Sequence, residues 1–313
     1  MEIIKNLKEF IPLKSSVLTI GSYDGLHRGH LKILQSVVQY AKKNNSPSVL
    51  VTFDPHPKHI IAIEKKEKIQ LIMSFNRKIE IIKTLGINYV FIITFTKEFS
   101  KISPDTFLDH TIIPFFNPEI MVIGFDHHFG RKREGNPLFL KKYCFLNNIK
   151  LEIAEPVKDN NVKISSSRIR DFIKNGMIKK ANFELGSNFG FSSKVIHGAG
   201  RGADLGFPTA NLLPLDNKQI LPKIGVYLIK GRINGQNTYG MCNLGVRPTF
   251  NETDFVIEVH FFFDDLNNLY DEELRIEFLE RIRDELKFSS SKELTFQLNR
   301  DKQVCLGLQG KYE

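Results

Sequence analysis

The chain has 313 residues, 42% of them hydrophobic and 25% charged, an ordinary globular mixture long enough for one large or two medium domains. Its three cysteines, Cys144, Cys242 and Cys305, are far apart, odd in number and without metal-ligand spacing, which excludes a disulfide scaffold and points to free thiols in a reducing compartment. A net charge of +9 invites a nucleic-acid reading, but the lysines are scattered rather than gathered in a stripe, and anionic nucleotides as ligands suit the same charge.

The opening MEIIKNLKEF mixes acid and base too early for a signal peptide, and no apolar run approaches membrane-spanning length. The expectation is a cytoplasmic protein, a monomer or weak oligomer, with small-molecule partners and neither nucleic acid nor membrane. Val17 to Ile20 reads as a short buried strand, broken by Gly21, Asp24, Gly25 and Gly29. Leu31, Leu34, Val38 and Ala41 then return at helical spacing, so the segment is strand, glycine-rich turn, helix, with His27 and His30 where the helix begins. A helix start offers free N–H groups and a favourable dipole to an anion, and Gly29 lets a phosphate approach the main chain. That suits transfer at a nucleotide α-phosphate. The string HRGH resembles the HxGH signature of the nucleotidyltransferase superfamily; two solvated histidines or a metal pair are the alternatives from spacing alone.

Ser48 to Phe53 reads as the next strand, ended by DPHP, whose prolines leave His56 on a rigid loop. A helix over Ile79 to Leu85, a strand over Tyr89 to Thr94 and a helix over Pro104 to Ile113 capped by Ser103 follow. Glu119 to Gly124 is a fourth strand, and a helix from about Pro137 to Leu146 and a strand from Leu151 to Ala154 complete the alternation. Apolar strands alternating with helices predict a parallel sheet covered on both faces, with Asp24, His56 and Asp126 at the carboxyl ends where ligands bind. Ser165 to Ser167 can cap the next helix. Arg168 and Arg170 in its first turn oppose the helix dipole unless an anion sits there.

After Gly186 the helical period gives way to glycine-punctuated extended runs, predicting an antiparallel barrel or sandwich and one helix near Ser291 to Arg300. The expected domains are 1–186 and 187–313. HGAGRGADLGFPTANL, His197 to Leu212, can offer backbone N–H groups to a polyphosphate, or be a plain barrel connection. Thr209 and Asn211 supply hard oxygens of the kind Mg²⁺ accepts. In FVIEVHFFF, Glu258 shares a face with Val256, His260 and Phe262; periodicity leaves it either a solvent-facing residue or a general base.

Taken together, GSYDGLHRGH, VTFDPHP, IGFDHHFG, ISSSR, GFPTANL, NLGVRPTF, IEVHFF and IRDELKF resemble, in order and over nearly the whole chain, the bifunctional prokaryotic riboflavin kinase/FAD synthetase family. The resemblance implies an α/β nucleotidyltransferase domain with a Rossmann-like parallel sheet, followed by an antiparallel β-barrel riboflavin kinase domain. It implies ATP- and Mg²⁺-dependent phosphorylation of riboflavin to FMN in the second, then adenylylation of FMN to FAD in the first. His27, His30 and Glu258 would be catalytic. Gly21, Asp24, Gly29, Ser166, Ser167, Arg168, Gly198, Gly202 and Pro208 would bind ATP. Phe53, His56, Asp126, Phe129 and Arg283 would meet the flavin, and Thr209 and Asn211 the metal. Ser22, Tyr23, His127, His128, Ala203 and Asp271 depart from the family's usual residues. Another small-molecule nucleotidyltransferase fused to an unrelated barrel, or a nucleic-acid-binding barrel, are the rival readings; GFPTAN with a downstream strand glutamate argues against both.

Overall fold

All five residues of the strand Ser16–Ile20 are buried, as a strand covered on both faces must be. In the computed structural model, which describes residues 1–65, 70–197, 201–233, 235–248, 253–262 and 269–313, this strand is β2. It follows β1 (Glu2–Ile4) and leads into α1 (Arg28–Lys43), β3 (Ser48–Asp54), α2 (Pro57–Lys65), α3 (Phe75–Thr84) and β4 (Tyr89–Thr94). Next come α4 (Pro104–Phe107), a π-helical turn Leu108–Ile112, α5 (Ile113–Phe116), β5 (Pro118–Gly124), α6 (Pro137–Leu146) and β6 (Lys150–Ala154). The six strands pair in parallel in the order β1-β4-β3-β2-β5-β6. Strand order reverses beside β2, between β3 on one side and β5 on the other. The segments leaving the carboxyl ends of β2 and β5 therefore flank the crevice where such sheets bind ligands.

A small hairpin of β7 (Lys158–Asp159) and β8 (Val162–Lys163) precedes α7 (Ser166–Lys174) and α8 (Ile178–Leu185). Then come β9 (Gly190–Ile196), α9 (Arg201–Asp204), β10 (Ala210–Pro214), β11 (Gly225–Ile233), β12 (Gln236–Pro248), β13 (Thr253–Phe261), β14 (Glu273–Arg283) and α10 (Ser291–Gln309). The six strands β9 to β14 close into an antiparallel barrel, order β10-β13-β12-β11-β14-β9. Phe191, Tyr227, Phe261 and Phe278 are fully buried within it. α10 covers one side through Leu298 and Cys305, packed with Leu228, Tyr239, Met241 and Leu279.

Several boundaries differ from the sequence expectation, each for a local reason. β1 has one buried residue in three and no pattern to read, yet its parallel pairing with β4 extends the sheet. The loop after DPHP is a helix, α2, because Pro57 fits a first helical position and His56 Nδ1 accepts from Lys58 N at 3.1 Å. α3 begins four residues before Ile79. The helix capped by Ser103 does not stop at Ile113 but passes through the π turn to Phe116; Pro114 lacks the N–H that a regular turn would need. α10 is 19 residues long, where ten were expected.

Contacts group residues 1–70 and 75–165 as one unit and 71–74 with 166–313 as the other, whereas the sequence break lies at Gly186. In the second unit, α8 is tied to the barrel by Asn182, which donates to Phe278 O at 2.8 Å and accepts from Phe189 N at 2.8 Å. Buried Gln219 donates to Ile72 O and to Gly190 O, both at 2.9 Å, which brings 71–74 into that unit.

Candidate active sites

In the first unit the turn after β2 is held in an unusual shape. Tyr23, Gly25 and Leu26 all have positive φ, between 42° and 82°. A Cβ at Gly21 would stand 2.7 Å from the Tyr23 ring, so glycine is required there. Tyr23 Oη and Thr19 Oγ1 share a 2.5 Å hydrogen bond, and burial pushes the phenol well above its ordinary pKa. The hydroxyl by which Tyr23 departs from the usual Phe thus ties the turn to its own strand.

His27 is the N-cap of α1; its Nδ1 accepts from His30 N at 3.3 Å, which leaves the ring proton on Nε2. The His27 and His30 rings stack at 3.6 Å with a 17° tilt, and Tyr23 meets His30 edge-on at 5.1 Å. A Cβ on Gly29 would lie 3.2 Å from the His27 ring. Burial pushes His27 down to about 4, partly opposed by Asp126. Burial, then the charges of His27 and Lys78, hold His30 well below the ordinary histidine range. His30 Nδ1 is buried with no hydrogen-bond partner. Two neutral imidazoles at a helix start, one with an orphan nitrogen, can point N–H groups at an anion without opposing charge of their own. Asp24 is buried in the same turn, 6% exposed.

A cavity of about 650 Å³ opens at the carboxyl ends of β2, β3 and β5, and Gly21, His30, Phe53, His56, Asp126 and Phe129 all line it. Asp24, His27 and Gly29 are not among its lining residues: Asp24 lies in the turn, His27 caps α1 and Gly29 is in that helix's first turn. The cavity's apolar wall was only partly foreseen. Phe53, Phe95, Phe99, Phe107 and Phe129 form a chain of ring contacts from 5.5 to 6.0 Å, mostly edge-on. Phe95, Phe99 and Phe107 follow β4, so the carboxyl-end rule could have found them. Ser22, His127 and His128, three departures from the family pattern, also line the cavity. Burial and neighbouring His128 push His127 down to about 4. Asp126 is exposed and paired with Lys163 Nζ at 2.5 Å. Lys78, which sequence reasoning missed, is buried beneath the turn.

Ser166, Ser167 and Arg168 open α7 and group with the second unit. Arg168 Nη2 lies 2.8 Å from Oε1 of fully buried Glu184, so its charge has a fixed partner in that unit.

In the second unit a cavity of about 320 Å³ is lined by Gly202, Thr209, Asn211, Glu258 and Arg283. Glu258 stands in register with Asn211 on β10 and with Asn243 on β12, so the three share one face in a row. Of the two positions open to it from periodicity, the structure gives Glu258 the cavity wall. Ile257, Val259 and Phe261 turn into the barrel. A Cβ at Gly202 would come 2.4 Å from Phe207 O, which only glycine avoids. Pro208 gives its carbonyl to His260 Nδ1 at 2.9 Å and is not a wall residue. Arg283 is held in a fork by Asp301, with Nε to Oδ1 at 3.0 Å and Nη2 to Oδ2 at 2.7 Å, and Gln297 Nε2 donates to the same carboxylate at 2.8 Å. Asn243, His260 and Asp301 were missed in the sequence; the first two were legible as same-face strand neighbours of Glu258. Gly198 lies outside the described residues, and Ala203 belongs to the short helix α9. Among the described residues no group of three or more His, Cys, Asp or Glu could hold a metal ion. No described helix is long and apolar enough to cross a membrane.

Comparison with known proteins divides the chain in the same sense. Residues 11–168 match the family model for FAD synthetase, and residues 185–308 that for riboflavin kinase. A bifunctional riboflavin kinase/FMN adenylyltransferase of Bacillus subtilis is 37% identical over 93% of this chain and 92% of its own length. Its namesake in Escherichia coli K12 is 31% identical over 95% and 94%. A solved structure from Streptococcus pneumoniae, described as a macrolide-efflux protein, superposes with a TM-score of 0.87 at 32% identity, covering 97% of each chain.

Proposed function

Because the chain belongs to the bifunctional riboflavin kinase/FMN adenylyltransferase family, we propose that each of its two reactions is carried by the cavity of one unit, with the residues described above in named roles. The enzyme is a transferase that uses ATP and flavins: it phosphorylates riboflavin to FMN and adenylylates FMN to FAD. The observation that carries the assignment is the row Asn211, Glu258, Asn243 on one cavity wall and the stacked His27–His30 pair on the other unit's cavity edge.

In the kinase reaction Glu258 takes the proton of the terminal ribityl hydroxyl as its oxygen bonds to the γ-phosphorus of ATP, and the bond to the β-phosphate oxygen breaks to release ADP. Gly202 lies against the phosphates and Pro208 shapes its loop; Gly198 is assigned to the phosphates by the family resemblance alone. Arg283, fixed by Asp301, presents a flat cation to the flavin. Thr209 and Asn211 are hard neutral oxygens on the same wall as Glu258, a donor set that fits Mg²⁺ carrying waters and phosphate oxygens. When bound there, Mg²⁺ supplies neutralisation of phosphate charge.

In the adenylyl reaction an FMN phosphate oxygen bonds to the α-phosphorus of a second ATP and pyrophosphate leaves. The His27 and His30 N–H groups and the start of α1 stabilise charge at the α-phosphate. Gly21, Asp24 and Gly29 shape the nucleotide side; the pyrophosphate role of Ser166, Ser167 and Arg168, which group with the second unit, rests on the family motif alone. Phe53, His56, Asp126 and Phe129 line the flavin side. For function the chain divides into 1–186 and 187–313; the riboflavin kinase match beginning at residue 185 supports the second bound, while the FAD synthetase match ends at 168. Three buried free thiols support a cytoplasmic setting. The basic charge serves anionic nucleotides rather than a nucleic acid, and the protein works as a monomer or weak oligomer. Incubation with riboflavin, ATP and Mg²⁺ tests the whole: FMN should appear first and FAD after it. FAD formed from supplied FMN, with no FMN from riboflavin, would refute the kinase assignment.

A further inference from the structure

The first unit contains a buried cation that the two-histidine mechanism does not use. Lys78, on α3, is 6% exposed. Its Nζ donates to Ser22 O at 3.1 Å and to Thr52 Oγ1 at 3.1 Å, and lies 4.7 Å from the centre of the Phe75 ring. Ser22 directly precedes the turn in which Tyr23, Gly25 and Leu26 have positive φ, and Thr52 belongs to β3. The ammonium therefore fastens the turn that bears Asp24 and leads to His27 and His30 to the neighbouring strand. A buried ammonium is costly unless paired, and a leucine or methionine would fill the space at lower cost. Its retention beneath an anion-binding turn asks for a role in the chemistry.

We propose that Lys78 is a positioning residue for adenylyl transfer, holding the Ser22 carbonyl so that the turn delivers the His27 and His30 N–H groups to the nucleotide α-phosphate. The inference rests on assigning that turn to the adenylyl site. A displacement of about 1 Å at such donors costs on the order of a hundredfold in rate, so one fastening bond can matter far beyond its own strength. The groups that face Lys78 are Asp24 in the turn, Asp54 at the end of β3, His30 on α1, the Thr52 hydroxyl and the Phe75 ring. Burial, partly opposed by Asp24 and then Asp54, brings the Lys78 ammonium down to about 8. Its charge is thus lost as pH rises through that value, within the range where turnover can be measured.

The test compares wild type, Lys78→Met and Lys78→Gln between pH 6 and 10, using FMN plus ATP for FAD formation and riboflavin plus ATP for FMN formation in the same samples. Both variants should form FAD at least about tenfold more slowly at pH 7, with the KM for FMN changed by less than about threefold. Wild-type kcat for FAD formation should fall above about pH 8, and both variants should lack that fall. Riboflavin phosphorylation should be unchanged. Turnover within twofold of wild type with the alkaline fall intact would overturn the proposal. So would loss of FMN affinity together with the first unit's melting transition, which would make Lys78 scaffold alone. If His30→Ala also leaves FAD formation untouched, the failure lies in the assignment of the turn instead.

Discussion

At the scale of single residues the two reactions should fail independently. In the proposed mechanism His30→Ala removes an N–H from the α-phosphate, where only the second reaction breaks a bond. FAD formation should drop by about a hundredfold or more while FMN accumulates. Glu258→Gln keeps size and hydrogen bonding but removes the base, so FMN formation should fall by about a hundredfold or more while supplied FMN still becomes FAD at close to the normal rate. Loss of both activities in either variant would mean one shared site. The same histidines also make a pH prediction. His27 and His127 are each pushed to about 4 and His30 well below its ordinary range, all through burial, while the unfolded chain titrates near 6.5. The unfolded state then binds more protons below that pH. The stability linked to these groups is therefore complete above about 6.5 and is lost as pH falls through 6.5 towards 4. Urea melts of the first unit from pH 7.5 to 4.5 should show this slope, and His127→Phe should lessen it. Asp271 illustrates two opposed small effects. Its φ of 65° favours glycine, but its carboxylate pairs with Lys194 at 2.8 Å on the open surface. Asp271→Gly should therefore change barrel stability by less than about 0.5 kcal/mol.

The elements to which the proposed chemistry is assigned were legible in part. β2, the turn and α1 were readable because a buried strand, a run of glycines and a 3.6-residue period follow one another within 27 residues, from Val17 to Lys43. Glu258 stood out as one carboxylate in an apolar strand, but periodicity left it either solvent-facing or a general base, and only the register with Asn211 and Asn243 puts it on the cavity wall. What stayed hidden depended on partners distant in the chain. Lys78 reads as an ordinary helix-surface lysine until Thr52 and Ser22 are brought over it. Asp301 is 18 residues from Arg283, at a point where the apolar pattern of α10 already looked finished. That fork makes α10 part of the kinase cavity rather than an appendage. Asp301 is 2% exposed, and removing it takes the carboxylate partner from the half-buried Arg283 guanidinium. Asp301→Ala should cost the barrel about 1.5–3 kcal/mol and weaken riboflavin binding, read by melting and by flavin fluorescence titration. An unchanged melting point would show that Arg283 finds water in place of the carboxylate.

For the whole molecule, the contested stretch is 166–186. The sequence pattern assigns it to the first half and contacts assign it to the second, while residues 169–184 fall between the FAD synthetase and riboflavin kinase matches. The two views describe different properties. α7 begins with Ser166, Ser167 and Arg168, the motif given to the pyrophosphate, yet Ile169, Ile173, Ile178, Ala181 and Leu185 are buried and Asn182 is bonded to Phe278 and Phe189 beside the barrel. Chemistry and packing should therefore separate when the chain is cut. A fragment 166–313 should fold and convert riboflavin to FMN. A fragment 187–313 loses the cover of α7 and α8; at roughly 1.5–3 kcal/mol for each fully buried aliphatic side chain it should be less stable by several kcal/mol. Its kinase turnover, where folded, should match that of the longer piece, because Glu258, Thr209, Asn211 and Arg283 are all retained. Residues 1–165 alone lack the pyrophosphate motif and should not make FAD. Equal melting points for the two barrel fragments would show that α7 and α8 merely rest on the barrel, and the division at Gly186 would then hold for packing.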